Sequence, residues 1–456
     1  MANIFKRKSG KFKYVGQEGN AAWRRYQRSF KKKSAKRRTL SRLPLYLILL
    51  LVSVLILKGG FYLLGGVLAG ANENERDEGD SPGIVRIERP EIRNLLESQD
   101  FVNTEDPVIR KTINNREYVF HTTLDPDLQR SVVSMLDKKW ARHIAIVVMD
   151  PGTGKILAMA SHDKNDPDAN PCLSADFPAA SLFKTVTAAA AIENCGFDPD
   201  KELPYNGGKY TLYKSQLKDT ENKYTNRITF ESAFAQSVNP VFGKIGKNHL
   251  GGDTLEKFAF DFGFNREIGF DLPLEPSIAP ISEHSYNWAE VACGFNRKTR
   301  ISPIHAAMMA ASIIYNGRMM KPRLIDKVTV SNRKVYRQKP ESIRPVSPQT
   351  ALMLKPLMHT SLTSGTARGS FMDKSGRAIL KNFEVGGKTG SINYNPEQIR
   401  YDWFTGYARR KGTSNKIAVS VLVAHEKYIG MRSPSYFRKI VEAYFHNSFQ
   451  TAGAQK

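Results

Sequence analysis

The chain has 456 residues, 41% of them hydrophobic and 25% charged, with a formal net charge of +24. That mixture excludes a disordered, collagen-like or coiled-coil protein and allows one large domain or two to three smaller ones. Three cysteines, Cys172, Cys195 and Cys293, are an odd set and make neither a disulfide framework nor a metal cluster, although Cys172 and Cys195 leave room for one bridge.

In chain order, residues 1–42 come first, with basic runs such as "WRRYQRSFKKKSAKRR" and Glu18 as the only acid. Alone, such a block suits a nucleic-acid arm. The next segment argues otherwise. Residues 43–69 are apolar except for Ser53 and Lys58, and exceed the roughly 20 residues that cross a bilayer. A basic block before an apolar span is the positive-inside pattern. It predicts a cytoplasmic N-terminus that touches membrane lipid rather than nucleic acid, one transmembrane anchor, and an exported remainder. An A-x-A cleavage pattern stands at Ala69–Ala71, but the basic region is longer than a cleaved signal carries, so an uncleaved anchor is expected. Residues 70–115 are polar and charged and read as a linker or small pedestal, leaving 116–456 as the main folded domain.

Within that domain, "REYVFHTTL" reads as a strand and "DPDLQRSVVSMLDKKW" as a helix. "HIAIVVMD" and "KILAMAS" form a hairpin around a Pro-Gly turn. "AASLFKTVTAAAAIENCG" predicts an Ala-rich helix opening at Ser181 and stopping at Gly196. Helical patterns follow over 229–250, 255–263 and 302–317. Three strand patterns, "FEVGGKTGSI", "YDWFTGYAR" and "KIAVSVLVAH", precede a closing helix over 434–449. Strands at both ends with helices between predict an α+β domain whose sheet joins distant parts of the chain.

Ser181 and Lys184 are spaced i, i+3, so a helix puts both on one face. A lysine among alanines struggles to keep its charge, and a neutral lysine beside a hydroxyl is a base beside a nucleophile. Single motifs are weak. Ser-x-x-Lys recurs at Ser29, Ser161, Ser215 and Ser331; Ser-x-Asn at Ser237, Ser285 and Ser391; Lys-Ser/Thr-Gly at Lys8, Lys374 and Lys388. Each alone reads as a helix cap, a polar pair or a turn. Context selects Ser181-x-x-Lys184, which opens an apolar helix. It selects Ser237-x-Asn239, in an apolar helical stretch broken by Pro240, and Lys388-Thr389-Gly390, which ends a strand pattern.

In that order the three motifs resemble the transpeptidase domain of penicillin-binding proteins, a fold shared with β-lactamases. "TTLDPDLQRSV", "IVVMDPGTGKILAMAS", "TSGTA", "VGGKTGS" and "DWFTGYA" also look like family segments, over about residues 116 to 445. The phrasing is closest to the transpeptidase half of the bifunctional (class A) enzymes, with no glycosyltransferase half before it. Two departures stand out: Ala179-Ala180 where the family usually has Pro-Gly, and Ser391 where it usually has Thr. The resemblance implies a D,D-transpeptidase that cross-links peptidoglycan stem peptides ending in D-Ala-D-Ala and is acylated by β-lactams. Ser181 would be the nucleophile and Lys184 its base, kept neutral by burial and by repulsion from Lys388. Ser237 would pass a proton to the leaving amine, and Asn239 would hold a substrate amide and support Lys184. Lys388 and Thr389 would bind the terminal carboxylate. Gly390 would let the substrate lie close as an added strand, and the backbone N–H groups of Ser181 and Ser391 would form the oxyanion hole.

A carboxypeptidase or β-lactamase of the same fold is the alternative. A class A lactamase also needs a deacylating glutamate; Glu256, Glu267, Glu275, Glu283 and Glu290 fall in the right interval, but in a different sequence setting. A non-catalytic penicillin-binding sensor or scaffold is the alternative of another class. No cofactor and no metal ion are expected. A separate glycosyltransferase partner is.

Overall fold

The structure is a computed structural model that describes residues 87–331, 333–394 and 398–453. The basic block and the candidate anchor lie outside the described residues. Among the described residues no helix is long and apolar enough to cross a membrane.

The hairpin forms as its sequence requires, from β3 (Ala141–Met149) and β4 (Ile156–Asp163). Its strands read as unbroken apolar runs because both faces are covered. Ala145, Val147 and Met149 point into one core, and Ile144, Ile146 and Val148 into the other. β13 (Lys416–His425) pairs with β3. With β12 (Ile399–Arg410) and β11 (Phe383–Tyr394) it completes an antiparallel five-stranded sheet in the order β11-β12-β13-β3-β4. β11 is therefore an edge strand.

On one face lie the buried helices α3 (Lys184–Cys195) and α8 (Pro303–Ile314). α8 packs on β3, β12 and β13, while α9 (Pro348–Thr363) covers β11. The helical layer also holds α4 (Phe230–Ala235), α5 (Asn239–Lys244), α6 (Gly251–Asp261) and α7 (Ser285–Cys293). On the other face lie α2 (Pro126–Ser134), α10 (Arg368–Phe371) and the closing helix α11 (Ser433–Gly453). Two short ladders pair β5 (Glu202–Tyr205) with β6 (Asn226–Thr229), and β7 (Met319–Met320) with β10 (Ser342–Ile343). The α+β expectation and the sheet built from both ends of the domain match this arrangement.

Three local expectations change. The linker reading fails for residues 87–115. α1 (Arg89–Leu95) and β1 (Val108–Ile113) belong to the folded unit. β1 joins β2 (Arg116–Thr122), β8 (Ile325–Val330) and β9 (Arg333–Arg337) in a four-stranded sheet of order β1-β2-β8-β9. Ile92, Leu96 and Phe101 are sparse in that polar segment but sit in the main core, and Arg89 Nε reaches Asp271 at 3.2 Å. The helix expected over 125–140 stops at Ser134, and Lys138–Trp140 is a separate 3-10 turn. The stretch 229–250 breaks at Ser237 rather than at Pro240, which stands second in α5. Proline at the start of a helix forfeits no hydrogen bond, so it begins a helix there rather than ending one. The bridge left open between Cys172 and Cys195 is not formed, and all three cysteines are free. Cys172 is buried, with its thiol donating to the carbonyls of Ile146 and Ala160.

Candidate active site

The Ser181 helix begins as a 3-10 turn, Ala180–Phe183, that runs directly into α3. In a 3-10 turn side chains at i and i+3 eclipse, so the spacing brings Ser181 and Lys184 together even more directly than an α-helix would. Lys184 Nζ lies 2.8 Å from Ser181 Oγ, 2.8 Å from Asn239 Oδ1 and 2.5 Å from the Cys293 carbonyl oxygen. Lys184 is completely buried, and burial pushes its pKa down to about 8. A neutral amine has two N–H donors and one lone pair. Asn239 Oδ1 and the Cys293 carbonyl accept the two donors, which leaves the lone pair for the Ser181 hydroxyl proton.

Asn239 is held for this task. Its backbone N–H donates to Lys209 O at 2.7 Å and its Nδ2 to Tyr210 O at 3.1 Å, which turns Oδ1 toward Lys184. Ser237 sits in the turn between α4 and α5 with a left-handed φ of 58°. Lys388 Nζ donates to Ser237 Oγ and to Thr389 O, each at 3.0 Å. Burial first, and then the charge of Lys184, hold Lys388 well below the ordinary lysine range. Burial is the leading cause of the lowering at both buried lysines.

Lys388, Thr389 and Gly390 lie in the middle of β11, not at its end. Thr389 Oγ1 is 2.5 Å from Thr366 Oγ1. A side chain at Gly390 would meet Trp403 Cβ at 3.2 Å and Ala179 O at 3.3 Å. Its bareness therefore serves close packing against the turn that carries the nucleophile, a reason different from the expected room for substrate. Gly294 is tighter still: a Cβ there would stand 1.9 Å from Ala180 O. Ser391 Oγ lies 3.5 Å from Asp402 Oδ1.

Together these residues face a cleft of about 1000 Å³, lined by Ser181, Ser237, Asn239, Thr389 and Ser391 among others, with Lys184 and Lys388 buried behind it. The structure thus brings the three sequence motifs into one place. Sequence reasoning missed Thr366 and Arg432, which also line the cleft. "TSGTA" carried a signal for Thr366. Nothing local signalled Arg432, which is placed by buried Asp402 on β12, with Nε to Oδ2 at 2.8 Å and Nη2 to Oδ1 at 2.9 Å. Burial opposes the Asp402 charge, but His425, with its Nε2 3.7 Å away, the doubly bonded Arg432 and the Ser433 backbone N–H prevail and hold its carboxyl well below the usual range. Among the described residues no cluster of three or more His, Cys, Asp or Glu is placed to hold a metal ion.

A hydroxyl against a buried amine, in an open cleft bordered by an edge strand, is a site equipped for acyl transfer. The chain belongs to the penicillin-binding protein transpeptidase domain family, whose model matches residues 144–442. It is 27% identical over 347 residues to penicillin-binding protein PbpB of Mycolicibacterium smegmatis, covering 72% of this chain and 50% of that protein. It is 26% identical over 330 residues to the peptidoglycan D,D-transpeptidase PbpA of the same organism, covering 61% of each. The chain spans about half the length of the curated relatives it matches. Among solved structures, the D,D-transpeptidase domain of a peptidoglycan glycosyltransferase from Eggerthella lenta superposes with a TM-score of 0.59 at 25% identity, covering 72% of this chain and 83% of that one. Penicillin-binding protein A of Mycobacterium tuberculosis, solved as a ceftriaxone acyl-enzyme, shares the fold with a TM-score of 0.58 at 22% identity, covering 71% of this chain and 79% of that one.

Proposed function

We propose that this protein is a serine-type D,D-transpeptidase that cross-links peptidoglycan stem peptides through an acyl-enzyme on Ser181. The observation that carries the reading is the 2.8 Å contact between Ser181 Oγ and a wholly buried Lys184 Nζ. Lys184 takes the hydroxyl proton as Ser181 attacks the penultimate D-Ala carbonyl. Backbone N–H groups of Ser181 and Ser391 hold the oxyanion. The proton passes through Ser237, which Lys388 touches, to the departing D-Ala. Lys388 and Thr389, with β11 as an open strand edge, receive the donor's terminal carboxylate and backbone. An amine of a neighbouring strand then takes the acyl group. A β-lactam acylates the same serine, as the ceftriaxone acyl-enzyme of the M. tuberculosis relative illustrates.

Residues 43–69 would anchor this domain outside the cell membrane, beside membrane lipid, with a separate glycosyltransferase supplying glycan strands. A fluorescent penicillin tests the core of the reading. Wild-type protein should be labelled covalently and Ser181→Ala should not. Equal labelling of both would make Ser181 the wrong serine. With nascent peptidoglycan, cross-linked rather than trimmed product is expected.

A further inference from the structure

The cleft is strongly basic: Arg297, Lys298, Arg400 and Arg432 all line it. Such a field attracts a donor's carboxylate but repels a protonated amine. Glu290 is the one acidic side chain among the residues lining the cleft. α7 places it there. Asn287 and Glu290, spaced i, i+3, share the helix face that ends at Gly294, and all three line the cleft. Cys293, on the same helix, sets its carbonyl oxygen 2.5 Å from Lys184 Nζ. The Glu290 backbone therefore stands one helical turn, about 5 Å, from the carbonyl that holds the base. Glu290 is half-buried, and among the described residues no hydrogen bond or ion pair engages its carboxylate. Its titratable neighbours are Lys298, Tyr286 and Cys293. Burial raises the Glu290 carboxyl and Lys298 opposes the rise. Only this long-range attraction engages the half-buried carboxylate, which leaves it open to a cation that enters the cleft.

We infer that Glu290 binds the ammonium group of the incoming acceptor, a step that rests on the transpeptidase reading above. The acceptor pairs with Glu290 as a cation and gives up one proton to solvent at the cleft mouth. Its neutral nitrogen then bonds to the acyl carbon. The ester bond to Ser181 Oγ breaks, and a second nitrogen proton travels through Lys184 to restore the serine hydroxyl. Glu290 thereby selects primary amines that are charged at neutral pH over water and uncharged nucleophiles.

The test uses the full chain, a thioester donor ending in D-Ala that acylates Ser181, and glycinamide as the cationic acceptor. Glu290→Gln should raise the acceptor KM about tenfold, the loss of one charge-assisted contact. Hydrolysed product should rise at the expense of the amide, while acylation by fluorescent penicillin changes by less than about threefold. Glu290→Asp should recover part of the acceptor affinity. An unchanged glycinamide KM in Glu290→Gln, with penicillin labelling intact, overturns the inference alone. So does a parallel fall in penicillin acylation, which would mark a structural role. Absence of labelling in the wild type would instead overturn the transpeptidase reading.

Discussion

At the scale of single residues, the state of one amine decides the chemistry. Lys184 works as a base only when neutral, and burial brings its pKa down to about 8. The sign follows directly. Above pH 8 most molecules carry the free amine, and below it the neutral fraction falls about tenfold per unit. Penicillin acylation should therefore rise through pH 7 to 8 and level off above, as stopped-flow acylation rates would measure. Lys184→Ala should lower the rate by roughly 10²–10⁴ at all pH values and flatten that rise. Two further residues store backbone strain at the site: Ala180 at φ 47° and Ser237 at φ 58°, where glycine would sit at ease. Ala180 occupies the place where the family usually has glycine, so this chain holds its nucleophile turn in a left-handed bend with an L side chain present. The burial of Lys184 was legible from the alanines around it. The support of Lys184 by Asn239 was expected from the motif; the Cys293 carbonyl that completes the pair was not, because it reaches Lys184 from a distant helix.

Elements position these residues through close backbone contacts. The turn Ala180–Phe183 is pinned between the C-cap of α7 and the middle of β11, and glycines stand at both contacts. Gly294 has a left-handed φ of 69° and no space for a Cβ beside Ala180 O. Backbone cannot yield as a flexible side chain can. Gly294→Ala should thus push the nucleophile turn out of place, cutting penicillin acylation at least a hundredfold, on the scale set by an ångström of misplacement at a reacting centre. The variant should also melt earlier in a thermal scan. Melting at the wild-type temperature with full acylation would refute this account of Gly294. The hairpin, the nucleophile helix and the three late strands were legible from alternation and apolar periodicity. The break at Ser237 was not. Proline is a local signal, and it pointed at the wrong side of the turn because α5 is held in place by contacts with α7 and β5.

The described domain is built on a sheet that joins strands from both of its ends, and its boundary lies earlier than composition suggests. Residues 87–102 insert Ile92, Leu96 and Phe101 into the main core, with Arg89 against buried Asp271. Ile92→Ala should cost about 2–5 kcal/mol of unfolding free energy, read from denaturant melts. A chain starting at residue 116 should lose β1 from its sheet and express poorly, whereas one starting at residue 87 should fold and bind penicillin. The amino-acid sequence by itself determined the α+β class, the run of main strands and helices, the three motifs and the buried lysine, since periodicity and local apolar context act within a few turns of chain. The tertiary structure alone decided which backbone carbonyl joins Asn239 in holding Lys184, why Gly390 and Gly294 are bare, and where Arg432 and Glu290 stand. Those outcomes depend on distances between segments far apart in the chain, and burial and electrostatics act through such distances rather than through order along the backbone.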